Sequence, residues 1–268
     1  MQFGMIGSGS WSTALAKILT DNGNTINWWI RNTDTINYMH KRKHNPHYVS
    51  SAYFNIGQTI LNNNITEVVE KSDVLVIGVP SAYAEQVLQQ LPANAFEGKK
   101  IVSAIKGILP TDNQLLNEYL LQHFGVALEN YFTVLGPCHA EEVAAEKLSY
   151  LTFTGIDETA TQAIAKHFNT DYLNTRINPD VFGVQYAAIL KNIYALGAGI
   201  AHGLEYGDNF QSVYIANAAN EMVTFLRQLL SNNDCVKPKD DINYAASVYL
   251  GDLLVTCYSL YSRNRTFG

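Results

Sequence analysis

The 268-residue chain is 47% hydrophobic and 11% aromatic, enough apolar surface to offset the ordering entropy that leaves polar, charge-rich chains disordered. Its formal net charge of −6 argues against general nucleic-acid binding, which needs a cationic stripe that displaces counterions from phosphates. The length suits one large domain or two ordinary ones.

Met1 to Ile6 reads as a strand, and Gly7-Ser8-Gly9-Ser10-Trp11-Ser12 follows it directly, opening a helix over Trp11 to Asp21. In such a turn the first glycine permits the sharp reversal and the second lets a pyrophosphate approach the backbone. The helix N-terminus then offers free N–H groups to its charge. On this pattern Gly7 and Gly9 are dinucleotide contacts, with Ser12 where a third glycine is usual; a purely structural turn is the competing reading. The second strand, Ile26 to Ile30, ends in Arg31 and lacks the acidic residue that would hold a ribose 2′-hydroxyl. Arg31 is therefore either a partner for the 2′-phosphate of NADP or an ordinary exposed arginine. Lys41-Arg42-Lys43 reads as a solvated helix end, and Asn62-Asn63-Asn64 as a loop.

Further strands are expected at Val74 to Val79, Ile101 to Ile105, Tyr131 to Leu135 and Tyr150 to Thr154, alternating with helices at Ala82 to Leu91, Asp112 to Phe124 and Glu158 to Phe168. Alternating βαβ units predict an α/β, Rossmann-like doubly wound, mostly parallel sheet, because parallel neighbours need crossover connections. Three strand ends look functional, since ligands of open α/β sheets bind at the carboxyl edge. They are Val79-Pro80-Ser81, the run from Ser103 to Lys106-Gly107, and Gly136-Pro137-Cys138-His139-Ala140-Glu141-Glu142, the last a tight turn before a short helix. Each is also explicable as punctuation between elements.

After Pro179 the strand signals stop and three helical periods follow, Val181 to Leu204, Asn209 to Leu230 and Asn243 to Ser259, with Ser231 to Asp241 as a loop. The expected division is a dinucleotide-binding domain over 1–179 and an all-α substrate-binding domain over 180–268. Lys191 is the only charge between Asp180 and Glu205, flanked at helical spacing by Ala187, Ala188, Tyr194 and Ala195. A lysine desolvated there has a lowered pKa and suits general acid/base work, whereas a lysine snorkelling to solvent is the alternative. No apolar run reaches the roughly 18 residues of a membrane span, and no secretory signal opens the chain. Cys138, Cys235 and Cys257 fit no paired pattern, so a soluble protein of a reducing cytoplasm, with no metal site, is expected.

The motifs Gly7-Ser-Gly-Ser-Trp-Ser-Thr-Ala-Leu-Ala, Val79-Pro-Ser, Lys106-Gly, Gly136-Pro-Cys-His-Ala-Glu-Glu-Val-Ala, Leu190-Lys-Asn, Gly207-Asp-Asn, Leu250-Gly-Asp-Leu and Ser262-Arg-Asn-Arg-Thr-Phe-Gly together resemble NAD(P)-dependent glycerol-3-phosphate dehydrogenase of the bacterial type. The resemblance runs in order along the whole chain. It implies reversible reduction of dihydroxyacetone phosphate to sn-glycerol 3-phosphate with NADH or NADPH, supplying glycerophospholipid synthesis, and it admits a homodimer. It implies Lys191 as proton donor and Lys106 as a lysine touching both substrate and nicotinamide. It further implies cofactor contacts at Ser10, Trp11, Arg31, Ala140 and Arg263, and substrate contacts at Gly136, Cys138, Asp252, Ser262, Arg263 and Asn264.

The chain departs from the family pattern at Ser12, at Cys138 where Ser or Thr is usual, and at Tyr249 where Gly precedes Leu-Gly-Asp. Family members also continue past the position of Gly268 through helices carrying a Val and a Glu that contact the cofactor. The expectation is a helical part lacking some of its usual packing. Two alternatives stay open on the sequence: a 3-hydroxyacid or 6-phosphogluconate-type dehydrogenase, and a catalytically impaired nicotinamide-binding module.

Overall fold

The computed structural model describes residues 1–231 and 242–268. The first part of the chain alternates strands with helices: β1 (Phe3–Ile6), α1 (Ser10–Asp21), β2 (Ile26–Trp29), α2 (Thr33–Arg42), β3 (Thr59–Asn62), α3 (Ile65–Glu70), β4 (Val74–Ile77), α4 (Ser81–Leu88), β5 (Lys100–Ser103), α5 (Leu116–Phe124), β6 (Tyr131–Leu135), α6 (Ala140–Ala144), β7 (Ser149–Thr154), α7 (Glu158–Lys166) and β8 (Leu173–Asn178). The eight strands form one sheet in the order β3-β2-β1-β4-β5-β6-β7-β8. All neighbours pair in parallel except β6 with β7, which are antiparallel. The chain therefore runs outward from β1 through β2 to β3 and restarts at β4 on the other side of β1. The order reverses between β1 and β4, and a ligand crevice of such sheets opens at that point.

The strands lie between two packed layers, and their side chains divide with a period of two. Val74 and Val76 join the cluster on one face with Phe3, Met5 and Trp28, whereas Leu75 and Ile77 join the other with Ile6 and Ile101. Two strands escape the sequence reading. β3 carries only one fully buried residue, Thr59, and β8 only Leu173, so neither shows the apolar run of a central strand. Helix α2 is likewise hidden by its polar composition, but Asn32 caps it by accepting from Asp34 N and Thr35 N, and Lys43 ends it in the left-handed region. Lys41, Arg42 and Lys43 are exposed at that end, where cations meet the negative pole of the helix.

From residue 181 the described elements are all helical: α8 (Val181–Gly203), α9 (Gly207–Ser231), a π-helical turn (Ser247–Gly251), α10 (Asp252–Tyr258) and α11 (Arg263–Phe267). The helix expected over Asn243 to Ser259 forms only in part. Asn243 Oδ1 accepts from Ala245 N at 3.0 Å, a local side-chain turn that competes with helix, and Ala246 is extended with ψ 156°. The expected loop lies outside the described residues beyond Ser231, as does Cys235. Helices α8, α9 and α10 share a core of Val184, Ala187, Ala195, Ile215, Met222, Leu253 and Cys257, into which β6 sends Leu135. That contact sets α8 against the carboxyl end of the sheet.

Candidate active site

The loop after β1 is built by two glycines with different duties. Gly7 has φ +117°, and a Cβ there would lie 3.1 Å from Val79 Cγ1, so only glycine fits the turn. Its carbonyl accepts from Trp28 Nε1 at 2.7 Å. Gly9 has an ordinary extended backbone and caps α1, and a Cβ on it would meet no protein atom within 4 Å. The open space before Gly9 lies at the N-terminus of a twelve-residue helix, which suits a pyrophosphate.

Ser12, where the third glycine is expected, is fully buried and donates to Gly78 O at 2.8 Å. A Cβ on Gly78 would collide with the Ser12 hydroxyl. The close helix-strand approach is thus kept by placing the glycine on β4's end. Sequence reasoning missed Asn45, which is 1% exposed. Its amide donates to Ser8 O and Thr13 Oγ1, both at 3.0 Å, and its Oδ1 accepts from His47 N. Asn45 therefore ties the glycine loop to the segment after α2; the only sequence signal is its place before a proline.

Trp11, at the start of α1, links this loop to the next strand end. Lys106 Nζ sits 5.0 Å from the centroid of its ring, a cation–π contact, and the indole Nε1 is buried with no partner. Across the edge, Gly136 has φ +144° and would carry a Cβ only 2.9 Å from Tyr150 O. The turn it makes buries Cys138, whose Sγ donates to Tyr150 O at 3.2 Å. Burial pushes the Cys138 thiol up to about 11, so it is a neutral donor with no thiolate chemistry. His139 Nε2 is buried and unpartnered. Burial, together with the charges of Lys106 and Lys191, lowers the His139 pKa and keeps the ring neutral. Ala140 opens α6 and is buried.

Lys191 is 4% exposed and Asp252 2% exposed, and Lys191 Nζ is paired with Asp252 Oδ1. Burial, aided by the neighbouring Lys106 charge and opposed by Asp252, lowers the Lys191 pKa to about 8. The snorkelling alternative is thereby corrected: the ammonium faces inward, where a carboxylate holds it. Asp252 Oδ2 is left without a partner. Trp11 Nε1, His139 Nε2 and Asp252 Oδ2 are thus three unsatisfied buried atoms around two lysines, an arrangement that calls for a polar ligand.

Not every expected residue joins this group. Arg31 is exposed at the end of β2, and Ser10 is half-buried beside the glycine loop. Ser262 is buried and caps α11 by accepting from Arg265 N at 3.3 Å. Tyr261 lies 5.9 Å from the His139 ring, which brings the 262–264 run to the same edge. Arg263 and Asn264 are exposed, with no side-chain bond to the lysine pair among the described residues. A separate cleft of about 520 Å³, lined by Phe96, Lys99, His123 and Phe124, lies at the opposite, amino edge of the sheet. No group of His, Cys, Asp and Glu side chains is placed to hold a metal among the described residues.

A doubly wound sheet with a glycine loop at its switch point, facing a helical part that contributes a buried lysine, defines the class of nicotinamide-dependent oxidoreductases. Residues 2–178 match the family described as NAD-dependent glycerol-3-phosphate dehydrogenase N-terminus, and residues 180–268 match its C-terminus. The chain is 31% identical to glycerol-3-phosphate dehydrogenase [NAD(P)+] of Lactiplantibacillus plantarum, covering 97% of this chain and 75% of that one. It is 29% identical to the Chlorobium limicola enzyme of that name, over 100% of this chain and 78% of that one. The solved structure of glycerol-3-phosphate dehydrogenase from Coxiella burnetii superposes with a TM-score of 0.87 at 24% identity, covering 98% of this chain and 78% of that one. The chain belongs to the NAD-dependent glycerol-3-phosphate dehydrogenase family.

Proposed function

We infer that the protein catalyses reversible, NAD(P)H-dependent reduction of dihydroxyacetone phosphate to sn-glycerol 3-phosphate. The observation that carries this reading is the buried Lys191–Asp252 pair, set beside Lys106 at the sheet edge that also holds the glycine loop. The family match favours it over a 3-hydroxyacid or 6-phosphogluconate-type dehydrogenase, and the intact pair favours an enzyme over an impaired binding module. In this reading residues 1–179 bind the dinucleotide and residues 180–268 complete the substrate site.

The residues present fit a dinucleotide. The open face of Gly9 and the α1 N-terminus accept its pyrophosphate, and Trp11, with Nε1 free, flanks it together with Ala140. Arg31 meets a 2′-phosphate where NADP is used. When bound, the reduced nicotinamide supplies the hydride. The protein then has to neutralise the negative charge that grows on the substrate's carbonyl oxygen. Lys191 Nζ, as an ammonium with a pKa of about 8, donates the proton there, and Asp252 holds it in place while Lys106 adds positive field. Burial of both Lys191 and Asp252 keeps water from competing. Gly136 and Cys138 shape the wall behind the substrate, and Ser262, Arg263 and Asn264 supply donors for its phosphate. The phosphate dianion requires this local cation cluster on a chain of net negative charge.

The product feeds glycerophospholipid synthesis in this reading, and the protein acts in the cytoplasm, with a homodimer as its assembly. Among the described residues no helix is long and apolar enough to cross a membrane. The test is oxidation of NADH and of NADPH with dihydroxyacetone phosphate, followed by the reverse reaction with sn-glycerol 3-phosphate. Cofactor binding without turnover of either substrate would reject the assignment.

A further inference from the structure

Tyr249 is fully buried in the helical core yet carries a hydroxyl, a group that is costly to bury without a partner. The hydroxyl donates to Asp180 Oδ2 at 2.7 Å, and Asn178 Nδ2, at the end of β8, lies 3.4 Å from it. Asp180 is itself 4% exposed. Its other oxygen, Oδ1, accepts from Gly183 N at 2.7 Å and so caps α8. Gly183 has to be glycine, because a Cβ would collide with the Asp180 carboxyl group. One carboxylate therefore fixes the start of α8 and, through Tyr249, the π-helical turn at Ser247–Gly251.

The two elements held by this bond are the two that carry the Lys191–Asp252 pair. Lys191 lies eleven residues beyond Asp180 on α8, roughly 16 Å along the axis at about 1.5 Å per residue. Asp252 comes three residues after Tyr249 and is the first residue of α10. Helix α8 and the 247–258 segment are thus cross-linked twice, by Tyr249 to Asp180 and by Asp252 to Lys191. A π turn is a rare form of helix, usually a single turn and frequently at a functional site, and Tyr249 anchors this one through its hydroxyl. Tyr249 stands where the resemblance implies glycine, and glycine has no side chain with which to make this link.

We propose that Tyr249 is a positioning residue for the reaction: its bond to Asp180 sets the rotation of the π turn and thereby holds Asp252 against Lys191. This rests on the assignment of Lys191 as proton donor, but it makes a structural claim that can be read without turnover. Tyr249→Phe keeps the ring and removes the link. Asp180→Ser keeps a cap for Gly183 N but is too short to reach Tyr249, and serves if the phenylalanine variant fails to fold.

The readout is acetylation of individual lysines by acetic anhydride, followed by mass spectrometry. Lys17 is the internal control, since it is 6% exposed and paired with Asp21 and Glu146, with no bond to Tyr249 or Asp180. In either variant Lys191 labelling rises by at least about threefold with Lys17 unchanged. Turnover falls about tenfold with KM for the cofactor within about twofold. Lys191 labelling as in the parent, or Lys17 and Lys191 rising together, overturns the proposal. A parent chain that does not reduce dihydroxyacetone phosphate overturns the functional reading, and the labelling alone then decides the positioning role.

Discussion

Lys191 illustrates how a single side chain takes its chemistry from its surroundings. Burial lowers its pKa to about 8, which leaves a proton that is held near neutrality and released without a large barrier. Substituting Lys191→Met keeps most of the volume and removes both proton and charge. kcat should fall by at least about 10² with cofactor affinity nearly unchanged; steady-state kinetics and cofactor titration check this, and a variant within about tenfold of the parent shifts the role to Lys106. The pH dependence follows in sign. Reduction uses the ammonium, so its kcat declines as pH rises through about 8, while oxidation uses the free amine and rises over the same range. The charged groups that shift this titration are Asp252, which raises it, and Lys106, which lowers it. At the opposite end of the crevice, Arg31→Glu should weaken NADPH more than NADH, because a carboxylate repels a 2′-phosphate and accepts from a 2′-hydroxyl. Equal losses in fluorescence titrations with the two cofactors would discard a role for Arg31.

At the scale of the element, the β1–α1 turn separates folding from binding within three residues. Gly7 sits at φ +117° against Val79 and Gly78, whereas Gly9 has open space where a side chain would go. Gly7→Ala should therefore cost about 1–3 kcal/mol of stability. Gly9→Ala should leave the melting temperature almost unchanged while raising the cofactor Kd by an order of magnitude or more, since only a bound pyrophosphate would meet the new methyl. Thermal melts paired with cofactor titrations separate the two. Loss of stability in the Gly9 variant would mean that the open space serves the fold and not a ligand.

Across the whole molecule, burial is uneven. Strands β1 and β4 are covered on both faces, and every residue in them is buried. Helix α9 is fastened by one stripe, Gln211, Ile215, Ala218, Met222 and Leu226, with exposed residues around it. Amides of α9 should exchange with solvent faster than those of β1 and β4, because local opening there exposes little apolar surface. Hydrogen exchange read by mass spectrometry tests this, and equal protection would show that α9 is covered in solution, as a homodimer would do.

What the sequence by itself determined was local. The short apolar, β-rich runs, the glycine turn and the long helix carrying Lys191 follow from the order of residues, because a strand buried on both faces and an apolar helix write their pattern directly into the chain. β3 and β8 left no such pattern, since they sit at the sheet's edges with mixed surroundings. Long-range contacts decided the rest. The bond from Ser12 to Gly78, the tie from Asn45 to the loop, and the latch from Tyr249 to Asp180 join residues 66, 37 and 69 positions apart. Tertiary structure also settled whether Lys191 faces water or Asp252, because only packing α8 against α10 removes the solvent and brings in the carboxylate.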